Sequence, residues 1–524
     1  MATRLLRHYE QELAFIREMG AEFAEAYPKI AARLGLEGTE VLDPFVERLL
    51  ESFAFLSSRV HLELELQYPN FTNNLLEIIY PHYLAPTPSM AVMHFEPDEA
   101  LAGLPDGFDM PRHTPLRTGV VAGGQTACSF RTAHDLTLWP MHIVEAEYID
   151  SRGALISAGL GRDIPARAGI RLRFRRMTGA PLKELTADKV TLYLQGQGGA
   201  NWMLHELLST QVEGVLARST NRRDDWKLPL PGAGVTPRGY GSEDALLPTP
   251  ARSFDGYRLL QEYFAMPERF HFMDLSGLRP AFQRADGSDV DIYLLLRDGD
   301  AEAQAMVTPE AFSIHAAPAV NLFDKLCDRV PITVADYEQH VIPDRTAMLD
   351  YEVYQVKSVR GIRASGETDV EFLPFYSQND RTVLGENYPA FYAQRRRMRQ
   401  RSERERLKGP RTSYLGSEMF LNLVDQNQAP LSSSLARLSV RTVCTTRAHP
   451  LMLATGAPDV FHLPQGGPVK SITTPVVPTR PRPSFAHTGA PWRLVGHLSL
   501  NYLSIADTAF GGGYGDLIVG DDGD

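Results

Sequence analysis

The chain has 524 residues, 43% hydrophobic, 22% charged and 9% aromatic, which suits a soluble globular protein of roughly three or four domains at ~150 residues each. A formal net charge of −11 argues against nucleic acid as the main partner. Cys128, Cys327 and Cys444 lie far apart and form no CxxC, which fits a reducing compartment and gives no support to a disulfide framework or a cysteine-rich zinc site.

The first eight residues are basic but lead into an amphipathic pattern, not a signal-peptide core. No run of about 18 apolar residues is present, so no membrane span is predicted and a cytoplasmic location is expected. Leu6, Tyr9, Leu13, Ile16, Met19, Phe23, Tyr27, Ile30 and Leu34 recur at three- and four-residue steps, one stripe of a helix. Pro28 is expected to kink or split that helix, and Gly35 and Gly38 to end it. Asp43-Pro44 reads as a capped start for a second helix, whose buried face is predicted as Val46, Leu49, Leu50, Phe53, Leu56 and Val60. Pro69 is expected to close it, and residues 75–80 to form a short third helix. The apolar stripe can bury against partner helices or pack within the chain, and periodicity leaves both open.

After Pro88 the period falls to two. Ala91, Met93 and Phe95 alternate with Val92, His94 and Glu96, as in a half-buried strand. Short strands then continue to about residue 215, the clearest being Ile170-Arg171-Leu172-Arg173-Phe174 and Val190-Thr191-Leu192-Tyr193-Leu194. A helix is expected from Trp202 to Leu208 and another from Tyr257 to Phe264, broken by Pro267 and followed by an extended Phe270-His271-Phe272-Met273-Asp274. No strand–helix–strand rhythm appears, which disfavours a doubly wound fold. The predicted class is α+β, a helical N-terminal region followed by several mainly antiparallel β-rich modules with short helices. The predicted division is a helical arm at 1–88, a β-rich module at 89–217, a loop or linker at 218–251, a second α+β module at 252–393, an Arg-rich linker at 394–411, a C-terminal β-rich module at 412–505 and a disordered acidic tail at 506–524.

Catalytic signatures are missing. There is no HExxH, Walker loop or GxSxG elbow, and Gly232-Ala233-Gly234 sits in a proline-rich loop without a following helix to cradle a phosphate. His134 and His142 are too far apart along strand-like sequence to share a metal, and His205-Glu206 lacks a second histidine four residues on. No catalytic, cofactor-binding or metal residue is therefore assigned, no cofactor is expected, and partner-interface residues are left unassigned. The sharpest charge feature is Arg395-Arg396-Arg397-Met398-Arg399-Gln400-Arg401-Ser402-Glu403-Arg404-Glu405-Arg406. Aromatics are not interleaved and glutamates dilute the charge, so a solvated, mobile loop is the first reading, docking to an acidic partner surface the second, and nucleic acid the third.

The most specific string is Leu75-Leu76-Glu77-Ile78-Ile79-Tyr80-Pro81-His82-Tyr83-Leu84-Ala85-Pro86-Thr87-Pro88-Ser89-Met90, a helix running into a proline-stiffened strap and then a strand. It resembles the signature of the TssF family, a baseplate subunit of the bacterial type VI secretion system. Further matches follow in order. They include Tyr9-Glu10-Gln11-Glu12-Leu13-Ala14-Phe15 and Asp43-Pro44 with Val46-Glu47-Arg48-Leu49-Leu50. Downstream are Phe130-Arg131-Thr132-Ala133-His134-Asp135, Tyr257-Arg258-Leu259-Leu260-Gln261-Glu262-Tyr263-Phe264-Ala265-Met266-Pro267-Glu268, Asn321-Leu322-Phe323 and Leu498-Ser499-Leu500-Asn501-Tyr502-Leu503-Ser504. The sequence departs from the family pattern at Thr446, where Asn is usual, and at His449, where Leu is usual. It departs again after Leu503, where the family continues into a further ordered segment and this chain has residues 506–524.

The resemblance implies a phage baseplate wedge-like fold and structural work without catalysis. It implies two copies embracing one TssG, with TssE and TssK in the wedge and six wedges around a VgrG spike, as the platform for sheath polymerisation. It further implies a cytoplasmic particle at the inner face of the cytoplasmic membrane, docked to a membrane complex through the baseplate rather than inserted, and without nucleic acid. The competing classes are a β-rich hydrolase with a carboxylate pair in a deep pocket, and a nucleic-acid-binding scaffold using the arginines at 395–406.

Overall fold

A computed structural model describes residues 2–37, 40–120, 126–162, 164–221, 225–249, 254–300, 302–332, 338–363, 368–375, 390–401, 403–408, 412–425, 435–454, 456–458 and 460–485. The chain divides into two compact units, Met1–Leu84 with Phe485–Asp524, and Ala85–Ser484. The Leu498–Ser504 match and the expected tail at 506–524 lie outside the described residues.

In the first unit, the helix Ala2–Ala26 stops before Tyr27, and Pro28 opens a separate turn, Pro28–Ala31, at the first helical position, where its missing N–H costs nothing. Gly35 then reverses the chain at φ +65°, and a Cβ there would lie 2.9 Å from the Asp43 amide nitrogen, so only glycine fits. Asp43 caps the next helix by accepting from the Phe45 amide at 2.8 Å. That helix is a single element of 36 residues, Pro44–Ile79, and it runs through Pro69. The expected break at Pro69 and the separate helix at 75–80 are therefore corrected. A proline inside a helix costs roughly 3 kcal/mol, which packing on both flanks can offset. Here Ala54 and Ser58 before it, and Thr72 and Leu76 after it, are all buried.

The two long helices pair antiparallel, and their seam differs from the predicted one. Glu12 accepts from Ser57 Oγ at 2.8 Å and meets His61 at 3.1 Å, while Arg17 reaches Glu47 at 3.4 Å. Ala54 and Ser58 fill the centre with no exposed surface. Small residues let the backbones approach, and the large apolar side chains are left elsewhere. Residues 80–84 continue as a turn, Pro81–Leu84, stacked through aromatic rings: Tyr80 on Tyr83 at 5.7 Å, and Tyr83 on Phe485 at 5.8 Å.

The second unit begins with the proline strap, which is pinned at Thr87 by a reciprocal backbone pair with Arg482 (2.9 and 3.0 Å). The strand Met90–Pro97 follows. Ala91, Met93 and Phe95 point into a closed barrel with Leu116, Phe130 and Phe461, as the alternation predicted. Met90 and Val92 are buried too, in a second core with Tyr193 and Phe272, so this strand is covered on both faces over its first half.

Beside the barrel a five-stranded antiparallel sheet and a four-stranded one share the largest core. The predicted strand at 170–174 is the middle of Ala168–Arg176. Its Ala168, Ile170, Leu172 and Phe174 are fully buried, while Arg171 pairs with the partly exposed Glu145 and Arg173 with the buried Asp291. Val190–Leu194 forms as predicted, and the helices expected at 202–208 and 257–264 appear as Ala200–Thr210 and Asp255–Ala265. The segment 218–251, expected as a loop or linker, contributes Lys227–Pro229 and Gly234–Pro237 as edge strands of these two sheets. An edge strand pairs on one side only, so it tolerates the glycines and prolines that made the segment read as a loop.

The C-terminal sheet runs in the order Phe323–Leu326, Leu435–Thr445, Glu352–Arg363, Thr368–Pro374, Ala390–Met398, Ser417–Asp425 and Gln339–Val341. All of these pairs are antiparallel except Thr368–Pro374 with Ala390–Met398. The architecture is α+β, helical at the start and mainly antiparallel β thereafter.

Candidate interaction surfaces

The arginine-rich segment is not the mobile loop expected from its charge. Residues 390–398 are a strand, Ala390–Met398, paired antiparallel along Ser417–Asp425, and Glu403–Lys408 is a short helix. Successive side chains of a strand point to opposite faces, which sorts the arginines. Arg395 and Arg397 both pair with Glu338, and Arg397 also lies over the Phe420 ring at 4.8 Å. Arg396 donates to the Val353 carbonyl (2.6 Å), the Tyr354 carbonyl (2.7 Å) and Ser417 Oγ (2.9 Å). Arg399 is held bidentately by Glu405 at 3.1 and 2.8 Å. Guanidiniums committed to internal partners are poorly placed to neutralise phosphates, so the nucleic-acid reading loses four of the segment's seven arginines.

The motif Tyr257 to Glu268 does structural chemistry. Arg258 is completely buried, binding Asp255 at 2.6 Å and Glu262 at 3.0 Å. Glu262 also pairs with Arg269 and accepts from the Leu246 and Leu247 amides at 3.1 and 2.9 Å. Burial pushes the Arg269 guanidinium down to about 9. The helix thus clasps the preceding Gly/Pro-rich segment through charges with no exposed surface.

Asn321 is a second buried anchor. Its side chain donates to the Ser129 carbonyl at 2.7 Å and accepts from the Thr446 amide (2.8 Å) and hydroxyl (3.0 Å), while its own amide donates to Ser89. One residue thus ties together three segments distant in sequence, two through its side chain and one through its backbone amide. The departure at Thr446 therefore preserves a donor to Asn321. The departure at His449 places a ring whose Nδ1 lies 2.7 Å from the Thr446 carbonyl and whose Nε2 lies 3.5 Å from Asp350.

His134 and His142 are not brought together on one site. His134 is buried edge-on against Phe272 at 4.9 Å, and His142 meets His315 at 6.0 Å. Burial lowers His134 well below the usual histidine range, and His315, beside His142 and His94, is lowered to about 3. His315 Nε2 accepts from the Trp139 amide at 3.2 Å, the neutral tautomer that such a bond requires. Among the described residues, no group of three or more His, Cys, Asp or Glu side chains is placed to hold a metal ion. A cleft of about 320 Å³ carries Glu206, Asp298 and Asp300, but Asp298 pairs with Arg167 at 3.1 Å and Asp300 accepts from the Glu302 amide at 2.9 Å. Asp298 and Asp300 are thus bound to local partners, and Glu206 has no convergent acid–base partner in them.

The broadest unusual surface lies on the helix Pro44–Ile79. Phe45, Leu49, Phe53, Leu56, Val60 and Leu64 recur at steps of three and four, span one face, and are each at least half exposed, Phe53 by 62%. Leu49, Phe53, Leu56 and Val60 were predicted to be the buried face; the seam built from Ala54 and Ser58 leaves them outside. On the helix Ala2–Ala26, Phe15, Met19 and Phe23 form a further exposed row. Taking roughly 170 Å² per side chain, the stripe on the longer helix exposes on the order of 600 Å², the upper end of what monomeric proteins keep as one apolar patch. Among the described residues no helix is long and apolar enough to cross a membrane.

Comparison with known proteins places these features. The family described as "Type VI secretion system, TssF" matches residues 1–516. The type VI secretion system component TssF1 of Pseudomonas aeruginosa is 43% identical over 512 residues, 98% of this chain and 82% of its own length. A chain of the type VI secretion system TssK-TssF-TssG baseplate subcomplex, solved by cryo-electron microscopy, superposes with a TM-score of 0.66 at 24% identity, over 88% of this chain and 79% of that one, and shares the fold. The chain belongs to the TssF family of the type VI secretion system, whose members are structural components of the baseplate and not enzymes.

Proposed function

We propose that this chain is a wedge subunit of the baseplate, holding its place through the helical unit and supporting sheath polymerisation. Two copies join one TssG, with TssE and TssK completing the wedge and the wedges surrounding a VgrG spike. The assembly works in the cytoplasm, at the inner face of the cytoplasmic membrane, and docks to a membrane complex without inserting. The observation that supports this reading is the exposed apolar stripe from Phe45 to Leu64. Its area approaches the ~800 Å² that each partner contributes to a standard interface. The solved relative in a TssK-TssF-TssG subcomplex supports the choice of TssG as first partner. The division into a helical arm at 1–88, a β-rich module at 89–217, a second α+β module at 252–393 and a C-terminal β-rich module at 412–505 belongs to the same proposal, with the helical arm as the part that docks separately, since Met90–Pro97, Ala316–Val320 and Val469–Thr473 belong to one closed barrel.

Co-expression with TssG and native mass spectrometry test it. A stable complex of two copies to one TssG is expected. A chain that stays monomeric beside TssG at micromolar concentration would refute the reading.

A further inference from the structure

Two arginines of the C-terminal sheet region keep guanidinium nitrogens that the fold does not use, and they line the same cleft. Arg447 follows the Leu435–Thr445 strand at φ +50°, a backbone conformation rare outside glycine and typical of ligand clamps. Only 7% of it is exposed, and its Nε donates to the Tyr351 carbonyl at 2.8 Å. Its two terminal nitrogens have no partner among the described residues. Arg401 lines the cleft as well and likewise has no partner among them. Arg399 and Glu405, also in the wall, neutralise each other. Nearby Glu352 is buried and saturated by Tyr414 (2.7 Å) and by the Ser417 amide and hydroxyl (both 2.6 Å). The wall therefore presents three guanidiniums against one carboxylate; with the Glu352 charge beside Arg447 counted as well, one positive charge is left over.

The size of the cleft selects among anions. Its open volume is about 40 Å³. On that measure a water needs about 10–15 Å³, so there is room for about three heavy atoms. A carboxylate has three; a phosphate has five. The rim is apolar and exposed, with Leu349 and Met452 on the wall, 40% and 39% accessible. An arginine ringed by apolar side chains that exclude water is the kind of residue that anchors a protein partner.

We infer that this cleft receives the carboxylate of an Asp or Glu side chain from an acidic, apolar-flanked segment of a partner protein, gripped between Arg401 and Arg447. The inference is independent of which partner covers the helical stripe, because the site lies on a different unit of the chain.

The test uses the full chain and the peptide acetyl-Leu-Glu-Leu-amide against acetyl-Leu-Gln-Leu-amide, with acetate and inorganic phosphate as separate arms. The readout is the rate of phenylglyoxal modification of Arg401, followed by peptide mass spectrometry, with exposed Arg441 as internal reference. At about 2 mM peptide and a millimolar affinity, occupancy is about two-thirds, so the Glu peptide slows Arg401 about threefold. The Gln peptide leaves it unchanged, and Arg441 reacts at the same rate throughout. Arg447→Asn, which keeps a residue tolerant of the left-handed backbone, removes the protection. If that variant does not fold, Leu349→Ser on the exposed rim lowers protection by the Glu peptide to the acetate level. Equal protection by the Glu and Gln peptides overturns the inference. So does stronger protection by phosphate, and acetate matching the Glu peptide overturns the assignment to a partner side chain.

Discussion

Replacing Phe53 by serine separates a partner-facing stripe from one that serves only this chain. Phe53 lies in the middle of the row from Phe45 to Leu64 and is 62% exposed. With ~200 Å² for a phenylalanine side chain, about 120 Å² is available to a partner. At ~25 cal/mol per Å², burying it contributes about 3 kcal/mol, so losing it weakens association about 150-fold. The isolated chain loses little of that, since the ring is already in water, and a surface change of this kind stays within about 0.5 kcal/mol. Affinity for TssG is measured by titration, and the local stability of the Pro44–Ile79 helix by amide hydrogen exchange.

The opposite face supplies the control. Ala54 is fully buried in the seam with the first helix, so Ala54→Phe forces the pair apart at a cost of about 1–3 kcal/mol in local stability. The refuting pattern is the inverse one. If Phe53→Ser accelerates exchange along the helix by about two orders of magnitude and leaves TssG affinity unchanged, the stripe packs within the chain and the argument for an external partner fails.

Other outcomes follow from the buried anchors. Asn321→Ala strands the Ser129 carbonyl and the Thr446 amide and hydroxyl, and about 3 kcal/mol of stability of the second unit should be lost in urea denaturation. Glu262→Gln leaves Arg269 without its buried counter-charge and Arg258 with Asp255 alone, a loss of about 3 kcal/mol by the same assay. Pro69→Ala restores a backbone donor inside the Pro44–Ile79 helix and should slow amide exchange there, the gain approaching the roughly 3 kcal/mol that an interior proline costs. His315 is held near 3 by burial, below the ordinary 6.5, so the unfolded chain binds the extra proton. Stability from this residue is complete above about pH 6.5 and falls as pH drops toward 3, by about 2 kcal/mol at pH 5. His315→Asn, which tolerates the φ of +63°, should flatten that acid limb in a pH series of urea melts, and an unchanged slope would remove His315 as its source.

What could be read from the sequence depended on whether a pattern had a single physical cause. Alternation at Ala91, Met93 and Phe95 and the apolar run at 190–194 specify strands because period two arises from backbone pleating alone. Asp43-Pro44 fixes a helix start because only an N-terminus lacks a use for the proline N–H. Pro69 misled for the complementary reason: proline reports a local cost, and the burial of Thr72 and Leu76 that offsets it is a property of the packed helix. The arginines at 395–399 misled because charge on both faces of a strand erases the alternation, and Glu338, which fixes two of them, lies 57 residues earlier in the chain than Arg395.

The helical stripe misled most usefully. Apolar periodicity marks a face that avoids water, and it cannot say whether the covering surface is the same chain or another. Ala54 and Ser58 carried the missing signal, since small residues at a four-residue step let two helices meet closely and leave the larger side chains to a different contact. Among the described residues the face that looked like core is exposed, and that mismatch is the strongest physical reason to look for its partner.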